Sequence, residues 1–153
     1  MENKRIVSIV FVMLSIATFI ICLLLNFIEF QNGGAASLRS VIITLSYATV
    51  WILVLVTGVI SKNRGAVKYC TIFWFITFIT SITVVYGNMV DTVGRWGDLI
   101  FPLMLLFMGQ WYGLRFFIWS NTTRFIIIAV ISLIMLAIAV IWLIYNKKNQ
   151  NNM

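Results

Sequence analysis

Residues 98–119, DLIFPLMLLFMGQWYGLRFFIW, decide how this chain is laid out. Every other long apolar stretch of the sequence reads plainly as a membrane span, whereas this one contains Pro102, Gln110, Gly113 and Arg115. It has two interpretations: a complete span, the fourth of five, or a re-entrant segment in a protein with four spans. The choice determines the side of the membrane on which the C-terminus lies.

The composition of the chain places most of it in lipid. Of its 153 residues, 62% are hydrophobic and 10% are charged, whereas soluble domains carry about 25% charged residues. The apolar stretches are continuous and do not alternate with polar residues, which excludes a transmembrane β-barrel. A backbone in lipid must form its hydrogen bonds internally. The sequence therefore predicts an all-α integral membrane protein with a single helical domain.

Five apolar stretches give the predicted layout of this domain. Each is about 20 residues long, enough for a helix to cross a hydrocarbon core of about 30 Å. The predicted spans are about 6–28, 40–60, 69–87, 99–119 and 125–145, and residues 146–153 form a polar, mobile tail.

The basic residues indicate the orientation of the spans. The net charge of +7 comes from Lys and Arg at the ends of apolar stretches, which is typical of topology signals and not of a nucleic-acid surface. The stretch between spans 2 and 3 carries Lys62, Arg64 and Lys68 without an acid. It therefore predicts a cytoplasmic loop and a cytoplasmic N-terminus.

Local signals in residues 98–119 favour a complete span. Asp98 can cap a helix, Pro102 lies in its first turn, and Arg115 is close enough to its end to reach the interface. The number of basic residues on each side is the same for four spans as for five. We therefore predict a bundle of five transmembrane helices, with four spans plus a re-entrant segment at 98–119 as the alternative.

A group of charged residues forms the first candidate site, an outer polar cluster. Its members lie near span ends on the outer side in both topologies. They offer a site for a charged ligand or a partner, although ordinary surface ion pairs, worth about 0–1 kcal/mol each, are the alternative. The members of the outer polar cluster are Glu29, Arg39, Asp91, Arg95 and Asp98.

Tryptophans far from the interfaces mark a second candidate site, inside the bundle. Trp74 and Trp111 are expected at similar depth in antiparallel spans, and a re-entrant fourth stretch would remove this match. A buried indole N–H needs an acceptor. One interpretation is an aromatic-lined cavity for a hydrophobic or cationic small molecule, and the other is ordinary helix packing. The predicted lining is Trp51, Trp74, Thr77, Ser81, Met108 and Trp111.

No catalytic or metal-binding constellation is visible in the sequence. The chain has no His, and its two Cys, Cys22 and Cys70, are predicted at depths too different for a disulfide. A thiolate–imidazole zinc site is therefore excluded. No acid or Lys is predicted near the bilayer centre, where transporters and proton relays carry one. Neither an enzyme nor a cofactor is predicted.

These features predict a small non-enzymatic protein of a bacterial inner membrane, acting through a membrane partner as an accessory, sensory or immunity-type component. The high Ile, Asn and Lys content suggests the bacterial source. The alternative function is binding or passive translocation of a hydrophobic or cationic small molecule in the aromatic-lined cavity. The expected partners are the lipid bilayer, another membrane protein or a second copy of the chain, and a hydrophobic small molecule, but no nucleic acid.

Overall fold

The computed structural model describes residues 2–90 and 102–151, and all regular structure in them is helical. In chain order the elements are α1 (Glu2–Asn32), α2 (Leu38–Ile60), α3 (Arg64–Val90), α4 (helical over 102–108), a 3-10 helix (Gly109–Phe116) and α5 (Asn121–Asn151).

Four of the described helices are long and apolar enough to cross a membrane, which makes this a multi-pass membrane protein. Helices α1, α2, α3 and α5 contain the predicted spans at 6–28, 40–60, 69–87 and 125–145, and all four extend beyond them. Helix α5 also includes residues 146–151, which were predicted as part of a polar tail. The candidate spans themselves are Ile9–Asn32, Leu38–Ile60, Arg64–Met89 and Asn121–Lys148.

The helices form an antiparallel bundle with two distinct ends. Asn121, at the start of α5, lines a cavity together with residues near the ends of α1 and α3. We call this end, which also holds residues 33–37 between α1 and α2, the connector end. At the other end, Nη2 of Arg64 donates a hydrogen bond of 2.8 Å to the carbonyl of Asn146. This second end also holds the turn at 61–63, and we call it the basic end.

The carboxylate of Glu29 fixes the connector between α1 and α2. Helix α1 ends before Gly33, which has a φ of 61°, and such a left-handed conformation favours glycine. Glu29 accepts hydrogen bonds from the backbone N–H of Ser37 at 3.2 Å, from its hydroxyl at 2.7 Å, and from the hydroxyl of Ser40. Ser37 in turn caps α2 by accepting from the N–H of Ser40. One side chain therefore joins the last turn of α1 to the first turn of α2.

The stretch predicted as the fourth span does not form one continuous long α-helix in its described part, unlike α1, α2, α3 and α5. Its described part is α-helical over 102–108 and then continues as a 3-10 helix, and it is not among the four candidate spans. Phe107 reaches deepest, because its ring packs 6.2 Å from that of Phe19 and 5.7 Å from that of Phe73. The chain then returns, and the hydroxyl of Tyr112 donates to the carbonyl of Gly34 in the connector.

The part of this stretch that follows the turn lies at the connector end. Met104, before the deepest point, shares a cavity with Asn88 at the end of α3, and Trp119, after it, shares a pocket with Ala35 of the connector. Five spans are therefore not confirmed. A complete span would carry Arg115 to the basic end, whereas the structure places it beside Ala35. The predicted cap Asp98 lies outside the described residues.

The turn at Gly109 and Gln110 leaves the α-helical path because other helices bind its backbone. The side-chain amide of Asn26 donates to the carbonyls of both residues at 3.4 Å, and the hydroxyl of Thr44 donates to that of Gln110 at 2.7 Å. Asn26 and Thr44 each lie about 9 Å inside the connector end of their helices. Non-helical backbone at such depth is stable only where it is buried in protein, and glycine further disfavours the α-helix by about 1 kcal/mol relative to alanine.

Gly113 allows the 3-10 helix to lie directly on α2. A Cβ atom added to Gly113 would lie 2.6 Å from the carbonyl carbon of Ser40 and 2.7 Å from Oγ1 of Thr44, and closer still to the carbonyl oxygen of Ser40. The backbone of α2 cannot move aside as a flexible side chain would. No residue larger than glycine fits this position without separating the two helices.

We therefore expect Gly113→Ala to lower the midpoint of thermal unfolding in mild detergent, since overpacking costs about 1–3 kcal/mol. Gly34→Ala is the matched control, because no atom lies within 4 Å of a Cβ added there. Equal midpoints for the two variants would contradict the close packing of the 3-10 helix on α2.

Candidate functional site

Thr44 on α2 binds the backbone of the fourth stretch, and this contact positions the candidate site around Trp111. Its hydroxyl donates to the carbonyl of Gln110 at 2.7 Å and accepts the backbone N–H of Gly113 at 3.0 Å. All three residues are buried. One side chain therefore bonds two backbone groups of the 3-10 helix, and Asn26 is a second donor to the carbonyl of Gln110. Trp111 lies between the two bonded residues, so the same contacts set its position.

Four aromatic side chains form a closed cluster around Trp111, which we call the aromatic cluster. It consists of Tyr47, Trp51, Trp74 and Trp111, and neighbouring ring centroids are 5.6–6.3 Å apart. The structure thus brings together the three tryptophans of the predicted lining. The expected loss of the depth match between Trp74 and Trp111 does not occur, because the stretch descends to the level of Phe73 before it returns.

The aromatic cluster is packed without space between its rings. Tyr47 and Trp51 have 0% of their surface exposed to a water-sized sphere, and Trp51 also stacks on Phe73 with ring centroids 3.7 Å apart. The hydroxyl of Tyr47 and the indole N–H groups of Trp51, Trp74 and Trp111 have no hydrogen-bond partner among the described residues. Between the rings the structure has no room for a ligand.

Thr77 and Ser81, also part of the predicted lining, bond to their own helix. Thr77 donates to the carbonyl of Phe73 at 2.9 Å, and Ser81 donates to that of Thr77 at 2.8 Å. Ser81 also lies 3.5 Å from the sulfur of Met108. This is the hydrogen bonding of ordinary helix packing. A ligand site involving these residues stays a prediction.

A cavity of about 190 Å³ lies between the aromatic cluster and the connector end. Met108 and Trp111 are the two members of the predicted lining that contribute to it. The other lining residues come from α1, α3, α4, the 3-10 helix and α5; they are Phe30, Asn88, Met104, Tyr112, Arg115, Asn121, Arg124, Phe125 and Ile128.

Two arginines make one side of the cavity positively charged. Arg124 is only 8% exposed and donates through Nη2 to the side-chain oxygen of Asn121. The guanidinium of Arg115 lies 5.8 Å above the ring of Tyr112, within range of a cation–π contact. No acid is among the described residues that line the cavity. A cationic ligand, one of the two kinds predicted, would be repelled here.

The outer polar cluster is described only in part. Glu29 is bonded to the two serines of the connector, and Arg39 is exposed on the first turn of α2. Asp91, Arg95 and Asp98 lie outside the described residues, so the cluster as a whole stays a prediction.

Sequence reasoning did not identify Arg115 and Arg124 as site residues. It treated both as topology signals at span ends, on the cytoplasmic side with five spans and on the outer side with four. The signal that was available is their separation by residues 116–123 alone, which are too few to cross a membrane. The two arginines had to lie on the same side in any topology, and the structure adds that they line one cavity.

The described part of the chain offers little other chemistry. No group of three or more His, Cys, Asp or Glu side chains in it could hold a metal ion. Comparison with known proteins found no family model, curated protein or solved structure that matches this chain. Function must therefore be inferred from the fold and the cavity.

The anchoring role of Thr44 predicts that Thr44→Val lowers the unfolding midpoint and changes the near-UV circular dichroism of the tryptophans. The substitution keeps the shape but removes the hydroxyl that accepts the N–H of Gly113 and one of the two side-chain donors to the carbonyl of Gln110. A buried backbone group left without a partner costs about 1–3 kcal/mol. Thr49→Val is the matched control, because Thr49 is exposed and its hydroxyl bonds only to Leu45 of its own helix. Identical spectra and midpoints for the two variants would exclude the anchoring role.

Proposed function

We propose that this protein is a non-enzymatic protein of the bacterial inner membrane that binds a small amphiphile in the cavity at the connector end. The observation that carries the proposal is the mixed lining of the cavity. It combines the charged side chains of Arg115 and Arg124 with the apolar side chains of Met108, Trp111 and Ile128. An apolar lining with a few convergent polar groups is the usual form of a small-molecule site. Here it fits a ligand with one polar and one apolar end.

Buried polar groups at the turn of the fourth stretch, one on α1 and one on the stretch itself, support a binding role. Asn26 and Gln110 are fully buried, and each has a side-chain oxygen without a hydrogen-bond partner in the described part of the chain. Polar groups inside a membrane are costly and are typically retained for function. Non-helical backbone at membrane depth is likewise found where it lines a cavity. The fourth stretch has both properties, and its residues form one wall of the cavity.

The proposal includes a topology with four spans and a re-entrant fourth stretch. The support is that Trp119, after the turn, shares a pocket with Ala35 of the connector, and that Met104, before the turn, lines the same cavity as Asn88 at the end of α3. The basic end holds Arg64 and the last turns of α5, where Lys147 and Lys148 follow Asn146. By the positive-inside rule the basic end is cytoplasmic. The cavity then opens toward the outer leaflet or the outer medium.

The membrane partner predicted from the sequence stays a prediction. Helix α1 exposes an apolar face along much of its length, with Ile9, Met13, Ile20 and Leu24 among its exposed residues. Lipid covers such a face as well as a protein does, so the face does not favour a partner. The cavity favours the binding of a small molecule over action through a membrane partner.

The four-span topology predicts that a green fluorescent protein fused after Tyr145 is fluorescent, because the end of α5 lies in the cytoplasm. Alkaline phosphatase inserted after Gly34 is the control, since both topologies place the connector outside and predict an active enzyme. A non-fluorescent fusion after Tyr145, together with an active insertion after Gly34, would establish five spans and contradict the proposal.

The cavity predicts that Ile128→Trp weakens the binding of amphiphiles at least about tenfold, because the larger side chain occupies the ligand's space. Ile128 lines the cavity and is 2% exposed, whereas Leu133 on the same helix is 48% exposed. Leu133→Trp is therefore the matched control on the lipid-facing side. Native mass spectrometry of the detergent-purified protein counts the phosphatidylglycerol or diacylglycerol molecules retained. Equal retention by both variants would place the lipid on the outer surface of the bundle instead.

A further inference from the structure

We propose that the polar group of the ligand is a phosphate ester held between Arg115 and Arg124. This inference rests on the proposed amphiphile site and goes beyond it by assigning the chemistry of the headgroup. It is carried by the buried Arg124, by the half-buried Arg115, whose Nε atom is buried, and by the amides that line the same cavity. A phospholipid headgroup and a soluble phosphate monoester share this chemistry.

The two arginines have more hydrogen-bond donors than the described residues can use. A guanidinium has five N–H donors, and the only side-chain hydrogen bond that Arg124 makes in the described part of the chain is to Asn121. The Nε atoms of Arg115 and Arg124 are both buried and have no partner there. Arg124 is more than nine-tenths buried. Buried charges are normally paired with an opposite charge, so the cavity is built to receive an anion.

The acids of the described residues do not supply this charge. Glu29 directs its carboxylate to Ser37 and Ser40 of the connector. It is not among the residues that line the cavity. The acids at positions 91 and 98 lie outside the described residues and are addressed by the experiment below.

A phosphate ester matches the site better than a carboxylate does. One arginine fork is enough to bind both oxygens of a carboxylate, whereas a phosphate ester presents further oxygens in a tetrahedral arrangement and can bridge two forks. Asn88 and Asn121 line the same cavity, and their side-chain amides offer N–H donors to a further oxygen. A monoester carries a charge of about −1.5 to −2 at neutral pH, which suits two guanidinium groups.

The size of the cavity limits which part of a ligand it can enclose. Its volume of about 190 Å³ is below the roughly 300–1,000 Å³ of sites that enclose drug-sized molecules. The phosphate and the adjoining carbons fit beside Met108, Trp111 and Ile128. The acyl chains of a lipid would therefore lie outside the cavity, along the bundle.

The test measures binding to the full chain, purified in the phosphate-free detergent dodecyl maltoside. Phosphatidylglycerol, diacylglycerol and glycerol 3-phosphate are added separately, with thermal unfolding and native mass spectrometry as the readouts. A ligand that binds only the folded state raises the unfolding midpoint. We expect phosphatidylglycerol to raise it more than diacylglycerol, which has the same chains and no phosphate.

Variants of the two arginines test whether phosphatidylglycerol binds at these side chains. Arg115→Gln and Arg124→Gln should each weaken phosphatidylglycerol binding about ten- to hundredfold, as expected for losing hydrogen bonds to a charged group. Lys68→Gln removes an exposed cation at the basic end, away from the cavity and the outer polar cluster, and this variant should bind as the wild type does. If a Gln variant does not fold, the corresponding Lys variant keeps the charge and loses the fork. Binding at wild-type affinity by both Lys variants would then overturn the inference.

The three probes distinguish the sources of the phosphate. Stabilisation by glycerol 3-phosphate alone, lost in the Gln variants, supports a soluble ligand, and stabilisation only by phosphatidylglycerol supports a lipid headgroup. Equal, arginine-independent binding of diacylglycerol and phosphatidylglycerol overturns the phosphate assignment. The amphiphile site survives that result if Ile128→Trp still abolishes binding, and it fails as well if Ile128→Trp has no effect.

The chain's own acids are the remaining alternative. If the double variant Asp91→Asn, Asp98→Asn unfolds as early as the Gln variants, and no probe stabilises the wild type, the arginines are neutralised within the protein. That result overturns the inference. Stabilisation of both the wild type and the double variant by a phosphate probe supports it.

Discussion

The carbonyl oxygens of Gly109 and Gln110 accept hydrogen bonds from Asn26 and Thr44, and much of the architecture depends on these contacts. A peptide group without a partner in hydrocarbon costs several kcal/mol, so a chain can leave the α-helical path inside a membrane only where other helices supply donors. Here the donors permit a turn within the bundle. As a consequence the chain returns to the connector end, α5 starts there, and Arg115 lies at the same end as Arg124.

The four long helices could be predicted because a span depends on length and hydropathy, which the sequence contains directly. Residues 98–119 have both properties as well. The path of residues 102–119 differs from that of the long helices because of tertiary contacts, which length and hydropathy do not contain. The side chains that donate to the backbone of the turn are 83 residues away at Asn26 and 66 residues away at Thr44. The favourable position of Pro102 does not discriminate, since a helix that ends at residue 108 can begin in the same way as one that continues. The pairing of distant polar residues was the missing information.

The proximity of Trp51, Trp74 and Trp111 followed from counting residues along the helices, and the structure places them together. Whether such rings enclose a space depends on how side chains fill the volume, and protein interiors are close-packed. The structure accordingly shows packed rings, with the open volume one layer nearer the connector end. The charges around it could not be anticipated, because the position of Arg115 depends on the path of the fourth stretch.

Trp111 connects the cavity to the core of the bundle, because its side chain lines the cavity and is also part of the hydrophobic core. Its ring centroid lies 5.6 Å from that of Tyr47 on α2 and 6.3 Å from that of Trp74 on α3. Since no space separates these rings, a shift of Trp111 cannot be absorbed locally and must move its neighbours. A ligand that presses on Trp111 therefore acts on α2 and α3 as well as on the loop that carries it. By linkage, a ligand in the proposed site would stabilise whichever arrangement of these helices binds it best.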